Sequence, residues 1–348
     1  MAHDKELIPE KERWSRIFQE HDVFILKYQF PDSLPKRIRN RLGNFNLKEH
    51  LSAHPKDFEI AIVILPHFII PVYNFLKRNK IDAKIVAWFH NSITMYIHST
   101  SRIKSFTKKT IFNLLGVFKK QFKKVDLFLS ISTGIAHAVI KQLPSAPVKV
   151  VYNPVLPANF ENIPVIKQSS TPIFAYIGRL DDFQKNLRFM FKALSRLDFT
   201  WKLKIIGTGP DEQALMDYAK KLRIENSIEW KGFSEKPFEL LRDEGVTALL
   251  LTSRFEGLPT VLIEAISYGI PVIASNCPTG PSDIVINGVN GYLYEPGNLK
   301  DFVEKLRGLA TGDLKVADID QMRKSIEKFR IDNVCANIYS SLVGLLYS

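Results

Sequence analysis

The stretch SRFEGLPTVLIEA, residues 253–265, carries two glutamates, Glu256 and Glu264, with seven residues between them. A carboxylate in a ligand-binding turn can accept hydrogen bonds from sugar hydroxyls. In YIGRLDDFQKN, residues 176–186, Arg179 and Lys185 stand within one loop. Two cations there can clamp a diphosphate, the arginine as a planar fork and the lysine as a point charge. In IIGTGPDEQAL, residues 205–215, Gly207 and Gly209 form a turn that would let a ligand approach the backbone closely. Taken singly, each feature has an ordinary reading. Loop cations decorate many surfaces, isolated glutamates sit in loops or on solvated helix faces, and a lone G-x-G lacks the third glycine of the dinucleotide fingerprint.

The elements around these residues narrow the choice. GVTALLLTS, residues 245–253, is a short apolar run and reads as a buried strand. Gly257 permits a tight turn, Pro259 suits the first turn of a helix, and TVLIEAISYG, residues 260–269, continues as a helix that stops at Gly269. Glu256 is thereby placed at a strand's C-terminal end, beside a helix N-terminus whose free N–H groups favour phosphate. FEIAIVIL (58–65), AKIVAW (83–88), VDLFLSIS (125–132) and VKVVYN (148–153) read as strands in the first half. PIFAYIG (172–178), WKLKIIG (201–207), SIEWKG (227–232), TALLLTS (247–253), PVIAS (271–275) and GYLYEP (291–296) do so in the second. Alternation of strands and helices in both halves predicts an α/β protein with two parallel-sheet domains. Residues 153–172, with internal prolines and a polar end, read as the linker. The expected domains are 1–155 and 156–320, followed by a C-terminal helix, 321–348, packing back toward the first domain.

With 348 residues, 45% of them apolar, the chain is long enough for two domains with sizeable cores. Cys277 and Cys335 are the only cysteines, which argues against a disulfide framework or a cysteine-ligated metal and fits a reducing cytosol. No secretory signal pattern opens the sequence, and the longest apolar stretch, residues 60–76, is broken by Pro66, His67 and Pro71. His67, between two prolines, is read as structural.

Charge is unevenly distributed. Residues 1–152 hold 25 Lys and Arg against 12 Asp and Glu; the remainder holds 23 against 24. Residues 102–124 contain eight basic residues and no acidic one, with Ile103, Phe106, Ile111, Leu114, Leu115, Phe118 and Phe122 at helical steps. Such a basic amphipathic helix can bind an anionic membrane surface, each cation contributing about 1 kcal/mol near it. Equally, it can face the core and show water its lysines. No zinc knuckle, KH loop or RNP aromatic pattern supports nucleic acid as the partner.

In order, the second half reads G-R…K after one strand, G-x-G-P after the next, WKGF, E-x7-E across a turn and helix, and then GIPVIASNCPTGPSDIVINGVNGYLYEPG (269–297). That sequence of motifs resembles the donor-binding half of the retaining glycosyltransferases of family 4, whose GT-B architecture has two facing Rossmann-like domains. The resemblance covers about residues 55–310 and is most specific at 176–297. Within the family, the likeness is greatest to lipopolysaccharide core galactosyltransferases that form 1,6 links.

The resemblance implies a role for each residue. Glu256 meets hydroxyls of the donor sugar, and Glu264 accepts hydrogen bonds from the ribose. Arg179 and Lys185 neutralise the diphosphate, and the N–H groups at Leu258, Thr260 and Val261 lie where the helix N-terminus meets phosphate and sugar. Gly207, Gly209, Gly232 and Phe233 belong to backbone loops on the base side. His90, in AWFHNS, matches a histidine that faces the donor sugar; a histidine merely hydrogen-bonded in a loop is its ordinary reading. LSISTG (129–134) and YNPV (152–155) match an acceptor-side loop and a hinge.

The implied reaction moves a hexose from a UDP-sugar to a lipopolysaccharide core or another cell-surface glycan, on the cytoplasmic face of the inner membrane. It needs no cofactor and no metal, since cationic side chains and helix ends stabilise the leaving diphosphate. The only D-x-D, Asp318-Ile319-Asp320, lies in the C-terminal tail. Two other readings compete: a nucleotide-sugar epimerase of the same architecture, against which the G-R…K and E-x7-E set argues, and a sugar-nucleotide-binding pseudoenzyme. The second draws on a departure from the family pattern. Family chains open with an apolar strand and a glycine-rich turn, whereas this one opens MAHDKELIPEKERWSRIFQE and has only Gly43 and Gly116 before Gly134. HDVFILKYQF (21–30), the first strand-like run, resembles a later strand, so the first strand and its turn are expected to be missing.

Overall fold

The computed structural model describes residues 23–26, 60–63, 69–90, 122–166, 171–243 and 245–347. Two compact units divide the chain. One comprises 1–131, 135–151 and 338–348, the other 132–134 and 152–337.

In the first unit, β1 (Val23–Leu26), β2 (Ile60–Val63), β3 (Lys84–Phe89), β4 (Leu127–Ser130) and β5 (Val148–Val150) form a sheet in that order. Every neighbouring pair is parallel. All four residues of β2 and of β4 are buried, as expected of strands covered on both faces. β1 lies at one end of the described order, beside β2. The residues before it, where a missing first strand was expected, lie outside the described residues, as do His67 and residues 102–121. Of the basic run, Phe122 is described. It is 3% exposed and packs edge-on against Phe89 and Phe128, with ring centroids 5.6 and 5.8 Å away. At that position the apolar face meets the core, while Lys124 lies over the ring of Tyr73.

The second unit carries the sheet β11-β10-β9-β6-β7-β8, again parallel throughout. Its strands are β6 (Ile173–Ile177), β7 (Lys202–Ile206), β8 (Ile228–Trp230), β9 (Ala248–Leu251), β10 (Val272–Ser275) and β11 (Gly291–Tyr294). The chain enters at β6 in mid-sheet, builds outward through β7 and β8, then returns to the other side of β6 for β9, β10 and β11. Strand order therefore reverses between β6 and β9. The carboxyl ends of the strands at such a reversal are the place where doubly wound sheets bind ligands. Helix Leu187–Leu194 buries Leu187, Met190, Phe191 and Leu194, one stripe at helical spacing. On the other flank, Tyr294, Phe189 and Phe302 stack, Tyr294 and Phe302 at 4.5 Å.

The linker is not a free tether. Leu156 bridges to Arg330, Phe160 is buried, and the Ile166 N–H donates to the Tyr268 carbonyl at 2.8 Å. Arg323 clamps this segment by donating to the carbonyls of Glu161, Ile163 and Ser267. Proline-rich composition marked the absence of regular structure, but it carried no sign of this docking. Among the described residues no helix is long and apolar enough to cross a membrane.

Candidate active site

The loops that follow β6, β7 and β9 build the site. After β6, Tyr176 reaches over its own turn and donates its hydroxyl to the Arg179 carbonyl at 2.8 Å. Burial, with the Glu256 and Asp181 carboxylates nearby, pushes that phenol well above its ordinary range, so it serves as a neutral donor. The Leu180 N–H donates to the Thr208 carbonyl, and that of Asp211 to the Leu180 carbonyl, knitting the first two loops together. Gly207 and Gly209 are explained by this knitting. A Cβ on Gly207 would lie 1.9 Å from the Gly178 carbonyl oxygen, and one on Gly209 would lie 2.4 Å from that of Leu180. The space their missing side chains leave is filled by the backbone of the neighbouring loop. Gly232, with φ +67°, has nothing within 4 Å of its Cβ position; it serves the turn before Phe233, which is 73% exposed.

Lys185 ends the short helix Asp182–Lys185. Asp181 caps that helix through the Gln184 N–H, and Asp211 accepts from the Asp182 N–H at 2.7 Å. The loop after β9 holds its far side. The Thr252 hydroxyl donates to the carbonyls of Lys185 and Asn186, the Arg254 N–H donates to Gln184, and the Arg254 guanidinium donates to the carbonyls of Asp182 and Phe183. With its backbone pinned from both sides, Lys185 Nζ meets Glu256 Oε1 at 2.7 Å. The two side chains are 18% and 8% exposed. Around Glu256, the Thr279 hydroxyl donates to its carbonyl, and Gly280 packs on Gly257 and Pro259 so closely that a Cβ would not fit. The Cys277 thiol nearby is pushed up to about 12, by burial first and then by the Glu256 carboxylate, and stays protonated at neutral pH.

Pro259 stands at the N-cap of helix Thr260–Ser267, one residue earlier than the sequence suggested, and no side chain caps that end. Thr260 and Val261 open its first turn and Leu258 is buried just before it, so the amide end of the helix follows Glu256 closely along the chain. Glu264 lies one turn further along, half-buried. Arg179 is exposed, and only Lys185 of the expected cation pair is fixed by an ion pair.

His90 follows β3 in the first unit. It is half-buried beside the Trp88 ring, whose centroid is 5.5 Å away, and burial lowers its pKa, so the imidazole is neutral at pH 7. Among the described residues no cluster of three or more His, Cys, Asp or Glu is arranged to hold a metal. The D-x-D of the tail has a structural use: Asp318 caps helix Ile319–Lys324 by accepting from the Gln321 N–H at 2.8 Å.

Three site residues were not singled out in the sequence. Asp211, Thr252 and Arg254 all act on the backbone of the Lys185 loop. Two of them stand in the LLLTSRFEG stretch itself, but a side chain that binds a carbonyl more than sixty residues away leaves no local pattern.

Residues 160–328 match the family model described as Glycosyl transferases group 1. The chain is 32% identical over 298 residues to the lipopolysaccharide 1,6-galactosyltransferase of Escherichia coli K12, covering 83% of this chain and 77% of that protein. With the enzyme of the same name from Salmonella typhimurium, identity is 36% over 269 residues, 74% of each chain. The solved structure of the lipopolysaccharide outer core galactosyltransferase WaaB, in its apo form, superposes with a TM-score of 0.73 at 30% identity, covering 88% of this chain and 81% of that one. Its two parallel-sheet, Rossmann-like units make this a GT-B fold, and the chain belongs to the group 1 glycosyl transferases.

Proposed function

We propose that this glycosyltransferase moves a hexose, galactose, from its UDP conjugate to a lipopolysaccharide core acceptor with retention at the anomeric carbon. The names of its relatives support the acceptor and the sugar. One observation carries the donor assignment: the ion pair of Lys185 with the buried Glu256 carboxylate, on the loops where strand order reverses and just before an uncapped helix N-terminus. Cleaving the bond from the anomeric carbon to the diphosphate oxygen leaves charge on the diphosphate. Lys185, Arg179 and the N–H groups of Leu258, Thr260 and Val261 meet that charge, a preorganised electrostatic site that needs no metal. Glu256 holds the donor sugar and Glu264 the ribose. Gly232 and Phe233 lie on the base side, and His90 is assigned to the donor sugar on the resemblance alone.

Arg179→Ala tests the donor assignment. A hydrogen bond to a charged group contributes about 1.5–3 kcal/mol, so UDP affinity should fall about tenfold or more in calorimetry. Because Arg179 is exposed, the fold should be untouched; an unchanged Kd would remove it from the site.

The reading also places the enzyme at the cytoplasmic face of an anionic membrane, through the basic residues 102–124. Sedimentation with vesicles should then increase with anionic lipid content and fall with added salt. Sedimentation indifferent to both would leave the run as a core-facing helix along its whole length.

A further inference from the structure

Two aromatic rings lie on the loops that follow β6 and β9, and the donor reading gives them no task. Phe183 is 64% exposed and meets the half-buried Phe255 edge-to-face, with ring centroids 5.9 Å apart. Each belongs to a loop that supplies one half of the ion pair: Phe183 stands two residues before Lys185, and Phe255 immediately precedes Glu256. Both are braced by backbone bonds. The Arg254 guanidinium donates to the Phe183 carbonyl at 2.8 Å, and Gln184 Nε2 donates to the Phe255 carbonyl at 3.3 Å. A large ring exposed on a surface gains nothing from burial, whereas a braced pair presents a fixed apolar face.

We infer that Phe183, backed by Phe255, is the platform on which the sugar ring of the acceptor glycan stacks. The inference rests on the donor reading above. A pyranose presents an apolar C–H face ringed by hydroxyls, and an aromatic ring offers the matching face with little conformational entropy to lose. Position decides between donor and acceptor. Neighbouring strands lie about 4.8 Å apart, so Phe233 beyond β8 stands two strands from β6, at the base end of a bound nucleotide. The Phe183–Phe255 pair stands at the opposite, sugar end. There the Glu256 side chain is 8% exposed while Phe183 points to solvent. The inner place belongs to the donor hexose, and the outer place to the molecule that must approach the reacting carbon from outside.

Phe183→Ala is the variant of choice, because so exposed a side chain can be removed without opening the core. Calorimetry on the intact chain, with lipopolysaccharide core oligosaccharide as one titrant and UDP as another, reads the two substrates separately. The expected result is a five- to tenfold weaker oligosaccharide Kd in Phe183→Ala, wild-type affinity in Phe183→Tyr, which keeps the flat face, and an unchanged UDP Kd in both. Equal oligosaccharide affinity in wild type and Phe183→Ala overturns the platform. Equal loss of UDP affinity also overturns it and assigns the ring to the nucleotide. Failure of the donor reading is distinct: the wild-type chain itself would not bind UDP.

Discussion

Lys185→Ala should be the most damaging single change in the donor half. The lysine is the partner of a carboxylate that is 8% exposed and 2.7 Å away, and deleting it leaves that charge in place without compensation. Removing one member of a buried pair is destabilising by about 3–5 kcal/mol, far more than the net worth of the pair. In a domain of this size each kcal/mol shifts the melting temperature by about 2–4 °C, so a fall of roughly 6–20 °C is expected. UDP affinity should drop at least about tenfold as well, through loss of a charged contact to the diphosphate. The double variant Lys185→Met with Glu256→Gln separates the two effects. It should recover most of the melting temperature, because no charge is left buried, yet still bind UDP weakly. If Lys185→Ala melts with the wild type, the pair is not the fixed element described here.

Glu256→Gln should fail in a different way. The amide keeps the shape and the hydrogen-bonding capacity but not the charge, so Lys185 is left without its neutralising partner and is drawn toward phosphate. UDP should therefore bind as well as before or better, while sugar transfer falls by about a hundredfold or more, the usual magnitude for removing one well-placed polar group from a reacting centre. Glu264→Ala should show the converse, losing UDP affinity through the ribose. Equal loss of UDP binding in both folded variants would contradict the division of labour between the two carboxylates.

Much of this arrangement is legible in the sequence. The central strands β6, β9 and β10 announce themselves as short apolar runs ending in glycine, proline or a polar turn, because parallel strands covered on both faces are continuously apolar. The site residues follow because strand ends are where doubly wound sheets bind ligands, so G-R…K and E-x7-E could be placed before any contact was known. What the sequence withheld is long-range geometry. Nothing local says that Lys185 and Glu256, 71 residues apart, would meet as an ion pair. Nor does it say that Gly207 and Gly209 are small to admit the neighbouring loop. The docked linker is the plainest case. Leu156, Glu161 and Ile166 follow no period because their partners, Arg330, Arg323 and Tyr268, come from separate later parts of the chain.

The central claim is that the site at the carboxyl ends of β6 and β9 delivers a hexose from a nucleotide diphosphate to a glycan. The most direct measurement incubates the chain with UDP-galactose and lipopolysaccharide core oligosaccharide, and follows the mass of the oligosaccharide together with released UDP. The account predicts a gain of one hexose per UDP released, slowed about a hundredfold or more in Glu256→Gln. UDP release with no gain in acceptor mass, or equal transfer by wild type and Glu256→Gln, would contradict it.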